Sequence, residues 1–179
     1  LVYDFVTLPD GMMASRTGNV ITYHELRQEA LSRVKEETKK RHSDWPAKKI
    51  EEISLKIALS AIKFEMLMVR ANKIITFDIN EALRLNGFTS VYLQYSLVRI
   101  KSLLAKAGRR PALVKDFSNL LLVQEKSLLI KLAKYPELID LAIKERDVSG
   151  IAKYLFELAQ GFNDYYQSVN ILQASDKEK

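Results

Sequence analysis

Two stretches of this sequence combine residue types that can hold a phosphate or a base. The first runs from Gly11 to Gly18 and reads GMMASRTG. Glycines at both ends suit backbone turns that other residues resist. Between them sits one cation, Arg16, flanked by the hydroxyls of Ser15 and Thr17. Such a loop can wrap a phosphate, and it can equally be the closed end of a hairpin.

The second stretch runs from Leu97 to Lys115, LVRIKSLLAKAGRRPALVK. It carries Arg99, Lys101, Lys106, Arg109, Arg110 and Lys115 and no acid. Cations at a helix C-terminus complement its dipole, and the same clustering neutralises a nucleic-acid backbone with release of counterions. Aromatic residues lie close by. VYLQYSLVR brings Tyr92, Tyr95 and Arg99 together, and GFNDYYQSVN brings Tyr165 and Tyr166 beside Asn163 and Asn170. Unstacked bases of single-stranded RNA take aromatic faces and amide donors. Tyrosines on helices also serve as core residues with the hydroxyl at the rim.

Composition narrows the field. The chain has 179 residues, 47% of them hydrophobic, enough for a real core in one domain or two small ones. With no cysteine, a disulfide framework and a thiolate metal site are both excluded. His24 and His42 have no partners at metal-ligand spacing and read as solvated surface histidines. The net charge of +6 fits a polyanionic partner. No apolar run reaches bilayer length, and nothing reads as a signal peptide, which points to a cytoplasmic protein with no membrane or DNA partner. No nucleophile–histidine pair and no GxxxxGK[ST] loop is present. The opening LVYDFV, without an initiating methionine, reads as a piece cut from something longer.

The elements that position these residues are mostly helical. LVYDFVTL alternates like a strand, and GNVIT gives a second strand and a hairpin-like start. Thr22 and Glu25 form a capping box for a helix over 23–41. A second helix, restarted by Trp45-Pro46, covers 50–70 and is apolar around much of its circumference. A connector with a small strand-like centre carries another cap, Asp78 to Glu81. The spacing predicts further helices from Ser90 to Ala107 (stopped by Gly108), over DFSNLLLVQEKSLLIKLAKY, over PELIDLAIKE, and from Ser149 to Leu172. The architecture is a helical bundle with a small N-terminal β element.

Taken together, four stretches resemble the arginyl-tRNA synthetases, a family of class I aminoacyl-tRNA synthetases. MMASRTGNVI is similar to the family's KMSKS signature, with Met13, Arg16 and Gly18 matching. SAIKFEMLMVRANKIITFD resembles the end of its catalytic domain. The most specific stretch is NGFTSVYLQYSLVRIKSLLAKAG, whose Thr-x-x-Tyr-Leu-Gln-Tyr and Arg-Ile resemble the start of its anticodon-binding domain. YLFELAQGFNDYYQSVNIL is similar to a later helix of that domain.

The resemblance implies that residues 1–88 are the end of a catalytic domain and 89–179 an anticodon-binding bundle lacking its last helix, which would leave an exposed apolar seam. It implies an arginine–tRNA ligase that uses ATP, with Mg2+, to activate arginine and transfers it to tRNA(Arg). Arg16, Ser15, Thr17 and Gly18 would stabilise charge on the ATP phosphates. Tyr95, Arg99, Tyr166 and Asn170, with Arg109 and Arg110, would meet the tRNA. Two departures stand out. Met12 and Ser15 occupy the places of the signature lysines, and the nucleotide-binding fold with its HIGH motif is absent, so these residues are not expected to aminoacylate alone. A helical module that binds protein instead of tRNA is the alternative. A neighbouring class I synthetase is a weaker one, disfavoured by the YLQY and Arg-Ile run.

Overall fold

The first helix starts where two groups satisfy each other. The computed structural model describes residues 3–11, 20–108, 118, 120 and 122–173. In it the Thr22 hydroxyl accepts from the Glu25 backbone N–H at 3.3 Å, and the Glu25 carboxylate accepts from the Thr22 N–H at 2.7 Å. From this capping box runs α1, Tyr23–Arg41. His42 to Pro46 turn the chain into α2, Ala47–Leu67. His42 is not simply solvated: its ring stacks on Trp45 with centroids 3.9 Å apart.

The two helices meet along small side chains. Ala30, Val34 and Thr38 of α1 are buried against a stripe of α2 that includes Ser54, Ala58, Ala61 and Ile62. Their spacing of three, four and seven keeps each set on one helix face. Ser54 and Thr38 share a buried hydrogen bond of 3.3 Å. Phe77, 2% exposed, closes this core from the connector, together with Ala82.

The β element differs from the expected hairpin. Strand β1, Val6–Thr7, pairs in parallel with β2, Ile75–Thr76, in the connector, with Val6 opposite Ile75 and Thr7 opposite Thr76. Val20 to Thr22, the described part of the expected second strand, is not strand. The cause is local: the Thr22 N–H is already committed to Glu25, so it has no donor left for a ladder. Leu8 and Gly11 close a small turn on each other instead, with Gly11 at φ +130°.

Asp78 then caps a short α3, Ile79–Ala82, by accepting from the Asn80 N–H at 2.8 Å. Glu81 completes no box here; it pairs with Arg84. Thr89 caps α4, Ser90–Ala107, which ends at Gly108 in the left-handed conformation, φ +63°. Helix α5 spans Val123–Ala133, shorter than expected. Glu125 sets its start by accepting from the Leu122 N–H at 3.0 Å. Pro136 lies in the first turn of α6, Tyr135–Glu145, where its missing N–H costs nothing. Helix α7, Ser149–Ser168, stops short of Leu172: Val169 is extended, and a 3-10 turn, Ile171–Gln173, follows. The Ser168 hydroxyl donates to the Tyr165 carbonyl and competes with the helix ladder there.

A line of rings joins the α1–α2 hairpin to the bundle. Phe64 of α2 meets Phe88 at 5.2 Å, Phe88 meets Phe156 of α7 at 5.1 Å, and Phe156 meets Tyr92 of α4 at 5.4 Å. Arg70 adds ion pairs to Asp147 at 2.8 Å and Glu145 at 3.3 Å. Helices α5 and α7 approach closely at Gly161, where an added Cβ would lie 3.3 Å from Leu128 and 3.2 Å from Lys131 Nζ. Apolar side chains of α5 and α6, among them Ile130, Leu141 and Ile143, remain exposed.

One buried charge works against this core. Glu65 of α2 is 5% exposed, and burial pushes its carboxyl up to about 7, helped by the negative charges of Glu81 and Asp78. An acid whose folded pKa is raised holds its proton more tightly in the native state. Stability is therefore greatest below the unfolded value and declines as pH rises through about 7. Glu65→Gln is expected to stabilise the chain at pH 8, by on the order of 3 kcal/mol. It should also flatten the decline between about pH 5 and 7, in urea unfolding followed by circular dichroism.

Candidate RNA-contacting surface

Tyr95 and Arg99 fall one turn apart on α4, so they share a face by helical spacing alone. Their side chains touch: the Arg99 guanidinium carbon lies 4.5 Å from the Tyr95 ring centroid, and Nη2 donates to the Tyr95 hydroxyl. From α7, Tyr166 brings a second ring to 4.8 Å from the same carbon. Tyr95 is 50% exposed and Tyr166 37%, so much of each ring faces solvent. Among the described residues no carboxylate forms an ion pair with Arg99. This is a cation held by π faces and left chemically unspent.

Beneath it lies a polar network that sequence reasoning did not identify. Asn163, 5% exposed, accepts from Arg99 Nη1 at 2.6 Å through Oδ1. Its Nδ2 donates to the Tyr92 hydroxyl at 2.9 Å and to Ser96 Oγ at 2.8 Å. Ser96 in turn donates to the Tyr92 carbonyl at 2.9 Å. The signal for this was weak: an asparagine on the apolar side of α7, at the same register as Phe156 and Ala159.

The remaining expected residues separate. Tyr165 turns away from the cluster, and its hydroxyl donates to Glu125 of α5 at 3.0 Å. Adjacent helical residues point about 100° apart, so Tyr165 and Tyr166 do not serve one surface. Asn170 lies beyond the end of α7, exposed, in a cavity of about 310 Å³ that Tyr166 and Leu103 also line. Lys101 and Lys106 are exposed along α4. Arg109 and Arg110 lie outside the described residues, as do Ser15, Arg16, Thr17 and Gly18 of the glycine-bracketed loop.

Comparison with known proteins bears directly on this surface. Residues 93–179, which carry all of Tyr95, Arg99, Asn163 and Tyr166, match the DALR anticodon binding domain. Over 98% of its length the chain is 35% identical to the arginine–tRNA ligase of Bdellovibrio bacteriovorus, and it covers 30% of that relative. Along nearly its whole length the chain is similar to arginyl-tRNA synthetases.

The same relation holds in an archaeal member, the arginine–tRNA ligase of Halobacterium salinarum, at 33% identity over 97% of this chain and 27% of the relative. In structure, the family resemblance extends to the arginyl-tRNA synthetase of Thermus thermophilus, with a TM-score of 0.84 and 31% identity. That match covers 98% of this chain and 30% of the Thermus chain. The chain thus spans about 30% of the length of the curated relatives it matches. Among the described residues no group of three or more His, Cys, Asp or Glu side chains comes together to hold a metal ion.

The cluster generates a stability expectation of its own. Arg99→Ala strands the buried Asn163 Oδ1 without its donor, and a loss of about 1–3 kcal/mol is expected. Chemical unfolding of the variant beside the parent chain measures it, and no change would mean that the Arg99–Asn163 bond adds nothing to the fold.

Proposed function

We propose that this chain is the tRNA-handling part of an arginine–tRNA ligase, with residues 89–179 receiving the anticodon loop of tRNA(Arg). The observation that carries this reading is the Arg99 cation, held against two half-exposed tyrosine rings inside the span that matches an anticodon binding domain. Splayed bases stack on such rings at about 1–3 kcal/mol each. A guanidinium without a carboxylate partner keeps its donors available for phosphate or base acceptors. Lys101 and Lys106 continue the positive charge along α4.

Residues 1–88 supply the KMSKS-like loop in this reading, and the work of that loop follows from its residue types. Arg16, with Ser15, Thr17 and the Gly18 backbone N–H, stabilises negative charge on the departing pyrophosphate as the arginine carboxylate attacks the ATP α-phosphate to form arginyl-adenylate. With Met12 and Ser15 where the signature has lysines, Arg16 carries more of that charge. Arginine and ATP are the substrates of the whole enzyme, and a cytoplasmic setting belongs to the same proposal. The Phe64–Phe88–Phe156 contacts fasten the α1–α2 hairpin to the bundle.

Binding of the chain to an arginine tRNA transcript, at low and moderate salt, tests the proposal. Binding is expected to weaken steeply with salt and to weaken again when the anticodon is altered. Tyr95→Ala and Tyr166→Ala should each lower affinity by about 5- to 100-fold. Equal binding of unrelated RNAs, or no effect of either substitution, would remove anticodon recognition from this surface. Absence of any RNA binding would favour a protein-docking bundle.

A further inference from the structure

The Asn163 amide has only one orientation open to it. The Ser96 hydroxyl spends its single proton on the Tyr92 carbonyl at 2.9 Å, so toward Asn163 it can only accept. The Asn163 group 2.8 Å from Ser96 must therefore be the NH2. Its second proton goes to the Tyr92 hydroxyl at 2.9 Å, and Oδ1 is left facing Arg99 Nη1 at 2.6 Å. Flipping the amide would set a donor against the guanidinium and a carbonyl where Ser96 has no proton to give. A buried network with every member satisfied is rigid.

We infer that Asn163 is a positioning residue: anchored by Ser96 and Tyr92, it fixes the plane of the Arg99 guanidinium so that its free N–H edge is aimed at an acceptor of the bound RNA. The inference rests on the reading of this surface as RNA-contacting. Without Asn163, the bond to the fork that is left among the described residues comes from Tyr95, whose side chain is on the same helix and half exposed. Rotamer freedom of a long side chain opposes binding when it has to be frozen at the moment of contact. Asn163 removes that freedom beforehand, from a neighbouring helix, without the neutralising charge that a carboxylate in its place would bring. A carboxylate would orient the fork and cancel it; an amide orients it and leaves it charged.

A double-mutant cycle on binding to the arginine tRNA transcript separates positioning from plain structural support. Asn163→Ala is expected to weaken binding about tenfold, the size of one lost charge-assisted hydrogen bond. In the Arg99→Ala background the same substitution should change nothing further. Ser96→Ala, a milder change that frees one anchor of the amide, should weaken binding about threefold and likewise lose its effect without Arg99. Arg99→Lys, which keeps the charge but not the planar fork, should bind nearly as poorly as Arg99→Ala. The salt slope of Arg99→Ala tells which acceptor is met. A slope shallower by about one marks a phosphate and an unchanged slope a base, and either upholds the aim of the fork.

Wild-type binding by both Asn163→Ala and Ser96→Ala would overturn the inference, as would losses that persist undiminished in the Arg99→Ala background. Either result leaves the RNA-binding reading standing, because Tyr95→Ala and Tyr166→Ala report on that separately. If Arg99→Ala itself binds like the parent chain, the aimed fork is wrong whatever the tyrosines do. Should Asn163→Ala fail to fold, the Ser96→Ala cycle alone decides.

Discussion

The placement of the Tyr95–Arg99–Tyr166 cluster depends on Phe88 lying against Phe64 on one side and Phe156 on the other. It sits just before the Thr89 cap, so the same few residues start α4 and bring it against α2 and α7. Ring contacts of this kind favour tilted and edge-on arrangements, which constrains angle as well as distance. From Phe156 the contact passes to Tyr92, and from the Tyr92 hydroxyl to Asn163. The polar cluster around Arg99 is thus the upper end of an apolar column rooted in the α1–α2 hairpin. Gln94, donating to Ser60 at 2.7 Å, and the Ser60–Ser90 contact reinforce the joint with short polar side chains. Because α4 is held by α2 as well as by α7, its cationic face has a defined attitude toward the hairpin.

Charge is handled differently in the two halves. Along α1 and α2 many surface charges are paired with neighbours a turn away, as in Glu29–Arg33, Glu36–Lys40, Glu37–Arg41 and Glu52–Lys56. Exposed pairs of this type add only a few tenths of a kcal/mol each, ~0.3–0.5, so they chiefly cancel field. On α4 the pattern changes: Arg99 has π faces and an amide for company, and Lys101 and Lys106 stand in water. Lys106, seven residues beyond Arg99, shares its face of α4, whereas Lys101, two residues on, points to nearly the opposite side. Glu65 is the exception to charge economy in the hairpin, a carboxyl inside the core facing two other acids across the α2–α3 contact.

Much of the fold was legible in the sequence because helix ends announce themselves chemically. Thr22 with Glu25, Asp78 and Gly108 each mark a boundary by a specific hydrogen-bonding or dihedral requirement, and the structure places boundaries there. The β pairing was not legible. Strands of two residues have no periodicity to read, and β1 finds its partner nearly seventy positions away, across a helical hairpin. The end of α7 was missed because an apolar pattern continues through Val169 to Leu172 while the backbone has already left the helix. In the candidate site, Tyr95, Arg99 and Tyr166 were recoverable from motif and helical spacing. The role of Asn163 was not, since one polar residue on an apolar helix face gives no hint of what three groups on another helix will ask of it. Two consecutive tyrosines look alike in a string and diverge on a helix, so only the structure separates Tyr165 from Tyr166.

The crossing of α5 over α7 has a consequence of its own. Gly161 leaves room for Leu128 and for Lys131, whose ammonium donates to the Glu157 carbonyl at 2.8 Å, one turn earlier on α7. A carbon atom at position 161 would make the ends of the Leu128 and Lys131 side chains give way by a few tenths of an ångström. The same crossing sets Glu125, at the start of α5, against the Tyr165 hydroxyl, while Tyr166 reaches Arg99 of α4, so two neighbouring tyrosines tie α7 to two different helices.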